Sequence, residues 1–284
     1  MLDTDKSKKF IGATQYVLDE ELASIVNVSM ALEMPLLLKG EPGTGKTMLA
    51  YAIAESLQMP LIVLNVKSSM KLVDALYQYD TLTRLNDSRF SDSTRDVSNI
   101  EDYIKMGKIG QAFTSDVRTV LLIDEIDKAD TDFQDDMLDV LDQMEFDIIE
   151  IDKVVKTKHR PVIIITSNAK KDLSDPFLGR CNFHHIAFPD PKMMRRIINV
   201  HFPTLGSDLT DTAIDTFYRL RELDAVEKRP ATRELINWIR ALDSDPDFKP
   251  KNLAKGEVPF LGVLFKKSQD YNRAVQQTER RRLF

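Results

Sequence analysis

Three short clusters in this 284-residue chain hold residue types at spacings that phosphate chemistry requires. The first is Gly40-Glu41-Pro42-Gly43-Thr44-Gly45-Lys46-Thr47, a complete G-x-x-x-x-G-K-[ST] pattern followed by Met48. Its glycines let successive backbone N–H groups curl around phosphate oxygens, and a helix opening there adds positive potential. Lys46 would reach the β- and γ-phosphates, and the Thr47 hydroxyl is a ligand suited to Mg2+. The second cluster is Leu121-Leu122-Ile123-Asp124-Glu125, an apolar run ending in two carboxylates. Asp124 would hold the metal through water, while Glu125 would orient and deprotonate an attacking water. The third is Thr166-Ser167-Asn168, closing the run PVIIITSN. On a strand inserted between the other two, Asn168 would hydrogen-bond a γ-phosphate and the lytic water. A nucleotide site that activates water is the chemistry these residues imply.

Such a site needs strands that end side by side, and the pattern supplies them. Leu22, Ile25, Val26 and Met30 recur at helical spacing over 20–33, and Pro35 then opens the apolar run 36–38. After the glycine-rich turn, Leu49, Ile53 and Leu57 share a helical face that Pro60 ends, before the run 61–66. Further runs at 119–124, 161–166 and 184–188 are continuous rather than alternating. Continuous runs suit strands covered on both faces, as in a parallel sheet between helix layers. Residues 80–110 are polar, an insertion that no core strand explains, and FDIIEI and KVVKT predict a β-hairpin over about 146–158. Beyond Pro189 only helical patterns remain, carried by Met194, Ile197 and Ile198, then by 210–223 and 231–242. The expected organisation is an α/β nucleotide-binding domain over 1–190, then a helical domain and C-terminal extension over 191–284.

With Arg180 and Arg233 downstream, the three clusters resemble those of an AAA+ ATPase, over about residues 15–245. The insertion and the hairpin resemble the helix-2 insert and pre-sensor-1 hairpin of the MoxR branch. DALYQYDTLTRL, LLIDEIDKAD, KHRPVIIITSN and FLGRCNFHHIAFPDP are similar to the CoxD type, an AAA+ chaperone associated with carbon monoxide dehydrogenase maturation. The resemblance implies a P-loop AAA+ core with a central five-stranded parallel sheet between helices and a small all-helical C-terminal lid. It implies ATP and Mg2+ as cofactors and self-association into a ring, expected to be a hexamer. It further implies a protein client, a molybdenum-containing hydroxylase, with a von Willebrand A-type helper protein. Carried over residue by residue, Lys46 and Thr47 match the P-loop, Asp124 and Glu125 the Walker B pair, and Asn168 sensor 1. Arg180 stands where the family places the arginine finger that reaches a neighbour's nucleotide, and Arg233 matches sensor 2. CoxD-like chains tend to carry Arg-Arg-Cys where this one has Gly179-Arg180-Cys181.

Composition narrows the setting. Cys181 is the only cysteine, which excludes an intramolecular disulfide and a Cys-rich zinc site and fits a reducing, cytoplasmic address. No apolar run approaches the roughly 18 residues of a membrane span, and the start MLDTDKSKKF lacks the order of a signal peptide. His184 and His185 are adjacent on an expected strand, so they face opposite sides and cannot chelate together. The net charge of -6 is not evenly spread: residues 124–152 carry 13 acidic residues against Lys128 alone, leaving a net +6 for the rest. In related rings this region faces the pore, where acidity disfavours nucleic acid and suits a cationic or mixed-charge protein segment. Lys153, Lys156, Lys158 and Arg160, and the terminal Arg280-Arg281-Arg282, are the basic residues a nucleic-acid motor would use. No N-K-x-D guanine-specificity motif is present, and Glu125 with Asn168 suits water rather than a kinase's acceptor hydroxyl.

Overall fold

The continuous apolar runs become strands, and capped amphipathic segments become the helices between them. In the computed structural model, residues 9–89, 95–168, 173–224 and 226–282 are described, with the backbone alone for 254 and 280–282. The first helix among the described residues is α1 (Glu20–Leu32), whose N-cap Asp19 accepts the Leu22 N–H at 2.7 Å. There follow β1 (Leu36–Lys39), α2 (Lys46–Leu57), β2 (Leu61–Asn65), α3 (Leu72–Leu76), β3 (Tyr77–Tyr79), α4 (Thr81–Arg89) and β4 (Ile104–Met106). Next come α5 (Lys108–Thr114), β5 (Val120–Asp124), α6 (Thr131–Gln143), β6 (Glu145–Ile148), β7 (Lys153–Lys156), β8 (Val162–Ser167), α7 (Asp175–Gly179) and β9 (Asn182–His185). Six helices complete the chain: α8 (Pro191–His201), α9 (Ser207–Arg221), α10 (Thr232–Asp243), α11 (Pro250–Ala254), α12 (Leu261–Leu264) and α13 (Ser268–Arg282).

Five strands form one sheet in the order β2-β5-β8-β1-β9, all parallel. Leu37 pairs with Ile165, and Leu121 pairs with Ile163, so β8 lies between β1 and β5. The C-terminal ends of the three motif-bearing strands are therefore neighbours, at the edge where open α/β sheets bind ligands. Leu36, Leu37, Leu38, Leu121, Leu122 and Ile123 are fully buried. At about 1.5–3 kcal/mol for each such side chain, burial of these runs outweighs any single cap or ion pair in holding the frame.

Two small antiparallel pairs stand beside this sheet. The polar insertion is closed by β3 and β4, with Tyr77 opposite Met106. Asp80 caps α4 through the Thr83 N–H at 3.0 Å and accepts from Lys105 at 2.6 Å. Chiefly because of the Lys105 bond, its carboxyl is lowered to about 2. Residues 90–94 of the expected insertion lie outside the described residues. The expected hairpin forms from β6 and β7, but its first strand ends at Ile148, and Ile149–Ile151 make a 3-10 turn. Asp152, at φ 49°, completes that reversal. Phe146 stacks on Tyr77 at 6.3 Å, and the Tyr77 hydroxyl accepts the Ile149 N–H at 3.2 Å.

The last strand also differs from expectation. The apolar pattern HHIAF placed it over 184–188, whereas β9 spans Asn182–His185. Among the described residues its ladder neighbour is β1, which ends at Lys39, and Ile186 donates one last bond to the Lys39 carbonyl at 2.8 Å.

The chain divides into two compact units. One is built mainly from Leu18–Gly40 and Lys46–Ile186, the other from Thr14–Val17, Glu41–Gly45 and the chain from Ala187 onward. In the second unit Asp190 caps α8 through the Met193 N–H at 2.6 Å, with Pro191 at the first helical position. Its core gathers Met194, Phe217, Leu235, Trp238 and Ile239, and the Trp238 indole donates to the Pro259 carbonyl at 2.8 Å. No helix among the described residues is long and apolar enough to cross a membrane.

Candidate active site

Lys46 and Thr47 open α2 directly after the loop that leaves β1. Lys46 is buried, and its ammonium donates to the Gly40 carbonyl at 2.9 Å. The Thr47 hydroxyl donates to Asp124 Oδ1 at 2.9 Å, joining the helix start to the end of β5. Asp124 Oδ1 takes a second hydroxyl, that of Thr166 at the end of β8, at 2.7 Å.

One residue further, the chain breaks from extended to left-handed backbone: Glu125 has φ 60° and ψ 51°. This conformation costs an L-residue about 1–2 kcal/mol and needs support from its surroundings. Support comes from Thr166, whose hydroxyl accepts the Glu125 N–H at 2.9 Å. The Glu125 carboxylate meets Asn168 Nδ2 at 2.9 Å through Oε1 and the Lys128 ammonium through Oε2. That hydrogen bond is the main cause of a raised Lys128 pKa. Asn168 is held in turn, its N–H donating to the buried Asp127 carboxylate at 3.2 Å. The tips of β5 and β8 thus clamp each other in both directions.

The tip of the glycine-rich loop, Glu41–Gly45, belongs to the second unit. Gly43 has φ +80°, and a Cβ there would stand 2.5 Å from the Ala231 Cβ. Gly45 has φ +93° beside the Tyr16 ring. Both positions therefore require glycine for backbone conformation, and Gly43 for space as well. Glu41 pairs with Arg221 of α9, which also donates to the Pro230 carbonyl at 2.7 Å and lies 3.5 Å over the Phe188 ring. Thr44 closes the turn through the Glu41 carbonyl at 3.0 Å. Pro42 and Met48 are exposed, and so is Arg233, the second residue of α10.

Arg180 does not join the carboxylate cluster of its own chain. It follows α7, and its Nε meets Asp142 of α6 at 2.5 Å with 40% of the side chain exposed. Cys181 next to it is buried, and burial first, then the Asp142 charge, pushes its thiol up to about 12. That is the environment of an inert core cysteine rather than a metal ligand.

Sequence reasoning gave no role in the site to Thr166, Asp127, Lys128 or Arg221. Three of these had a readable signal. Thr166 precedes Asn168 by two on a strand, so it shares the latter's face, and Asp127 and Lys128 follow Glu125 within one turn. Arg221 had none, because its partner Glu41 lies 180 residues away.

The donor set fits Mg2+. Thr47 and Asp124 offer hard oxygens, and Mg2+ is ordinarily held by one or two carboxylates plus substrate phosphates. Among the described residues no group of three or more His, Cys, Asp or Glu could hold a metal, so the remaining ligands would be phosphate and water.

Solved structures with this architecture exist. NtrX from Brucella abortus in complex with ADP superposes with a TM-score of 0.57 at 14% identity, over 95% of this chain. This chain spans 63% of the NtrX chain. A single-substitution variant of RuvB from Thermotoga maritima superposes with a TM-score of 0.54 at 16% identity, over 84% of this chain and 69% of RuvB. At these identities the likeness is one of fold. No sequence match to a curated protein is found. A family model matches residues 36–189, which include the glycine-rich loop, both carboxylates, Asn168 and Arg180. The chain belongs to the ATPase family associated with various cellular activities (AAA).

Proposed function

We propose that this chain hydrolyses ATP and uses the turnover to remodel a protein client. The observation that carries the reading is the convergence of Thr47, Asp124, Glu125 and Asn168 in one hydrogen-bonded group at the ends of adjacent strands. In this reading Lys46 binds the β- and γ-phosphates, Glu125 takes the proton of the attacking water, and Asn168 orients that water against the carboxylate. Thr47 and Asp124 would hold Mg2+, which when bound neutralises charge on the transferring phosphoryl group. The ADP carried by the NtrX structure supports nucleotide binding by this fold.

Arg180 and Arg233 are assigned as arginine finger and sensor 2 on family resemblance. Both are solvent-accessible on the chain, which suits residues that act across a subunit boundary or on a bound nucleotide. A ring, expected to be a hexamer, follows from an arginine supplied in trans.

The client surface in this reading is the hairpin. Ile149 is 82% and Val154 51% exposed, among the exposed Asp147, Glu150 and Asp152. With three exposed carboxylates beside this apolar pair against Lys153, which is itself paired with Glu101, the tip suits apolar segments with cationic flanks and disfavours nucleic acid. The finer assignment, a CoxD-like chaperone acting on a molybdenum-containing hydroxylase with a von Willebrand A-type helper, rests on the motif wording. The test is to give γ-labelled ATP to the purified chain and then to capture clients on ATP-loaded Glu125→Gln protein. Label in inorganic phosphate and ATP-dependent capture of a molybdenum enzyme are expected. Label on an acceptor would make it a kinase, and salt-sensitive stimulation by DNA would make it a nucleic-acid motor.

A further inference from the structure

Thr166 carries no assigned role, yet its hydroxyl is hydrogen-bonded to both carboxylate residues of the site. It is 1% exposed. A hydroxyl has one proton to give and two lone pairs to accept with. The proton goes to Asp124 Oδ1 at 2.7 Å, and a lone pair takes the Glu125 N–H at 2.9 Å. The direction of each bond is thereby fixed.

The strand register explains why a side chain is needed there. β5 and β8 pair from Val120↔Val162 to Ile123↔Ile165, and the pairing stops at that point. On the other flank Asp124 remains in the ladder, opposite Asn65, with its carbonyl accepting the Val66 N–H at 3.0 Å. Glu125 then turns left-handed, which removes its N–H from any backbone ladder. The hydroxyl of Thr166 replaces the missing ladder partner. The same hydroxyl holds the oxygen of Asp124 that also accepts from Thr47. β-Branching restricts the Thr166 side chain to few rotamers, so the strand itself sets where the hydroxyl lies.

We infer that Thr166 is a positioning residue, which through one hydroxyl sets the metal-side oxygen of Asp124 and the left-handed backbone that aims Glu125. The inference rests on the reading of Asp124 and Glu125 given above. It predicts that loss of the hydroxyl weakens Mg2+ dependence and turnover together while leaving metal-free nucleotide binding alone, because that reading gives metal-free phosphate binding to Lys46 and the loop N–H groups rather than to Asp124 or Glu125.

The test uses the full chain with Thr166→Val, which keeps the shape and loses the hydroxyl, and Thr166→Ser, which keeps the hydroxyl. A fluorescent ADP analogue is titrated in EDTA and across a Mg2+ series, and ATP turnover is measured in parallel. For Thr166→Val, the Mg2+ concentration for half-maximal effect should rise at least fivefold and kcat fall at least twentyfold. Its affinity in EDTA should stay within twofold, and Thr166→Ser should recover both quantities to within threefold. Wild-type Mg2+ dependence in Thr166→Val overturns the inference, as does an equal loss in Thr166→Ser, which would assign the residue to packing. If Thr166→Val does not accumulate as folded protein, Thr166→Ala carries the same expectation. A wild-type chain that binds the Mg2+ complex without turning ATP over would sink the hydrolysis reading, and the Mg2+ shift would still decide the role of Thr166.

Discussion

Asn168 Nδ2 lies 2.9 Å from Glu125 Oε1, across a gap of 43 residues in sequence. A carboxylate on one strand tip is thus oriented by an amide on the next, and the amide is itself held by Asp127. As the base proposed above, Glu125 would act on water with little reorganisation, since its partners are already in place.

Glu125→Gln should lower ATP turnover at least a hundredfold, the range that a general base contributes. Nucleotide affinity should stay within about threefold, because the substitution preserves shape and, in the proposed reading, Glu125 acts on the attacking water rather than on the nucleotide. Asn168→Ala should lower kcat about 10- to 100-fold, the equivalent of one hydrogen bond to a charged group. Steady-state kinetics with parallel nucleotide titration check both, and near-normal hydrolysis by Glu125→Gln would remove it as the base.

Arg180→Ala separates a catalytic arginine from a structural one. Its pair with Asp142 is exposed on both sides, and such pairs contribute about 0–1 kcal/mol. The melting temperature should therefore hardly move, while turnover falls by about 10³ or more if the arginine serves a neighbour's nucleotide. Mixing Arg180→Ala with Lys46→Ala subunits should restore part of the activity. Absence of recovery, together with a lowered melting temperature, would make Arg180 a local structural residue.

Gly43→Ala introduces a Cβ at φ +80° and 2.5 Å from the Ala231 Cβ, so neither the backbone nor the neighbour can absorb it. Nucleotide affinity should drop more than tenfold, on the view that the loop must keep its shape to cradle phosphates. Arg221→Lys should destabilise the second unit by about 1–3 kcal/mol, because lysine cannot combine the carbonyl bond with stacking on Phe188. Thermal unfolding with and without nucleotide distinguishes the two effects.

The Cys181 thiol, raised to about 12 by burial, should be almost fully protonated at pH 8. With the thiol at about 12 instead of its ordinary value, the folded chain holds about a thousandfold less thiolate than the unfolded one. Alkylation should accordingly be slow until denaturant is added. The sign for stability follows: the unfolded thiol ionises first, so this contribution is complete below about pH 8.5 and is lost as pH rises toward about 12. Rapid labelling of native protein at pH 8 would contradict the burial.

How much of this was legible depends on the range of the interaction. The glycine-rich loop, the two carboxylates and Asn168 were readable because each is a contiguous motif at the end of an apolar run. The limits of β9 were not, since a strand stops where its neighbour stops, and β1 ends at Lys39 whatever HHIAF would prefer. The short pair β3 and β4 escaped notice for a related reason: three residues of alternating exposure carry too little periodicity to stand out.

Residue types and spacing were enough to point to the proposed site: a glycine-rich loop, a pair of carboxylates and a polar strand end, on strands too apolar to face water. Folding alone decided the partners. Thr166 meets Asp124 and Glu125, Arg221 meets Glu41, and Arg180 meets Asp142, none of them close in sequence. Hydrogen bonds act over about 3 Å in space, and only the packing of strands, helices and loops brings residues 38 to 180 positions apart within that distance.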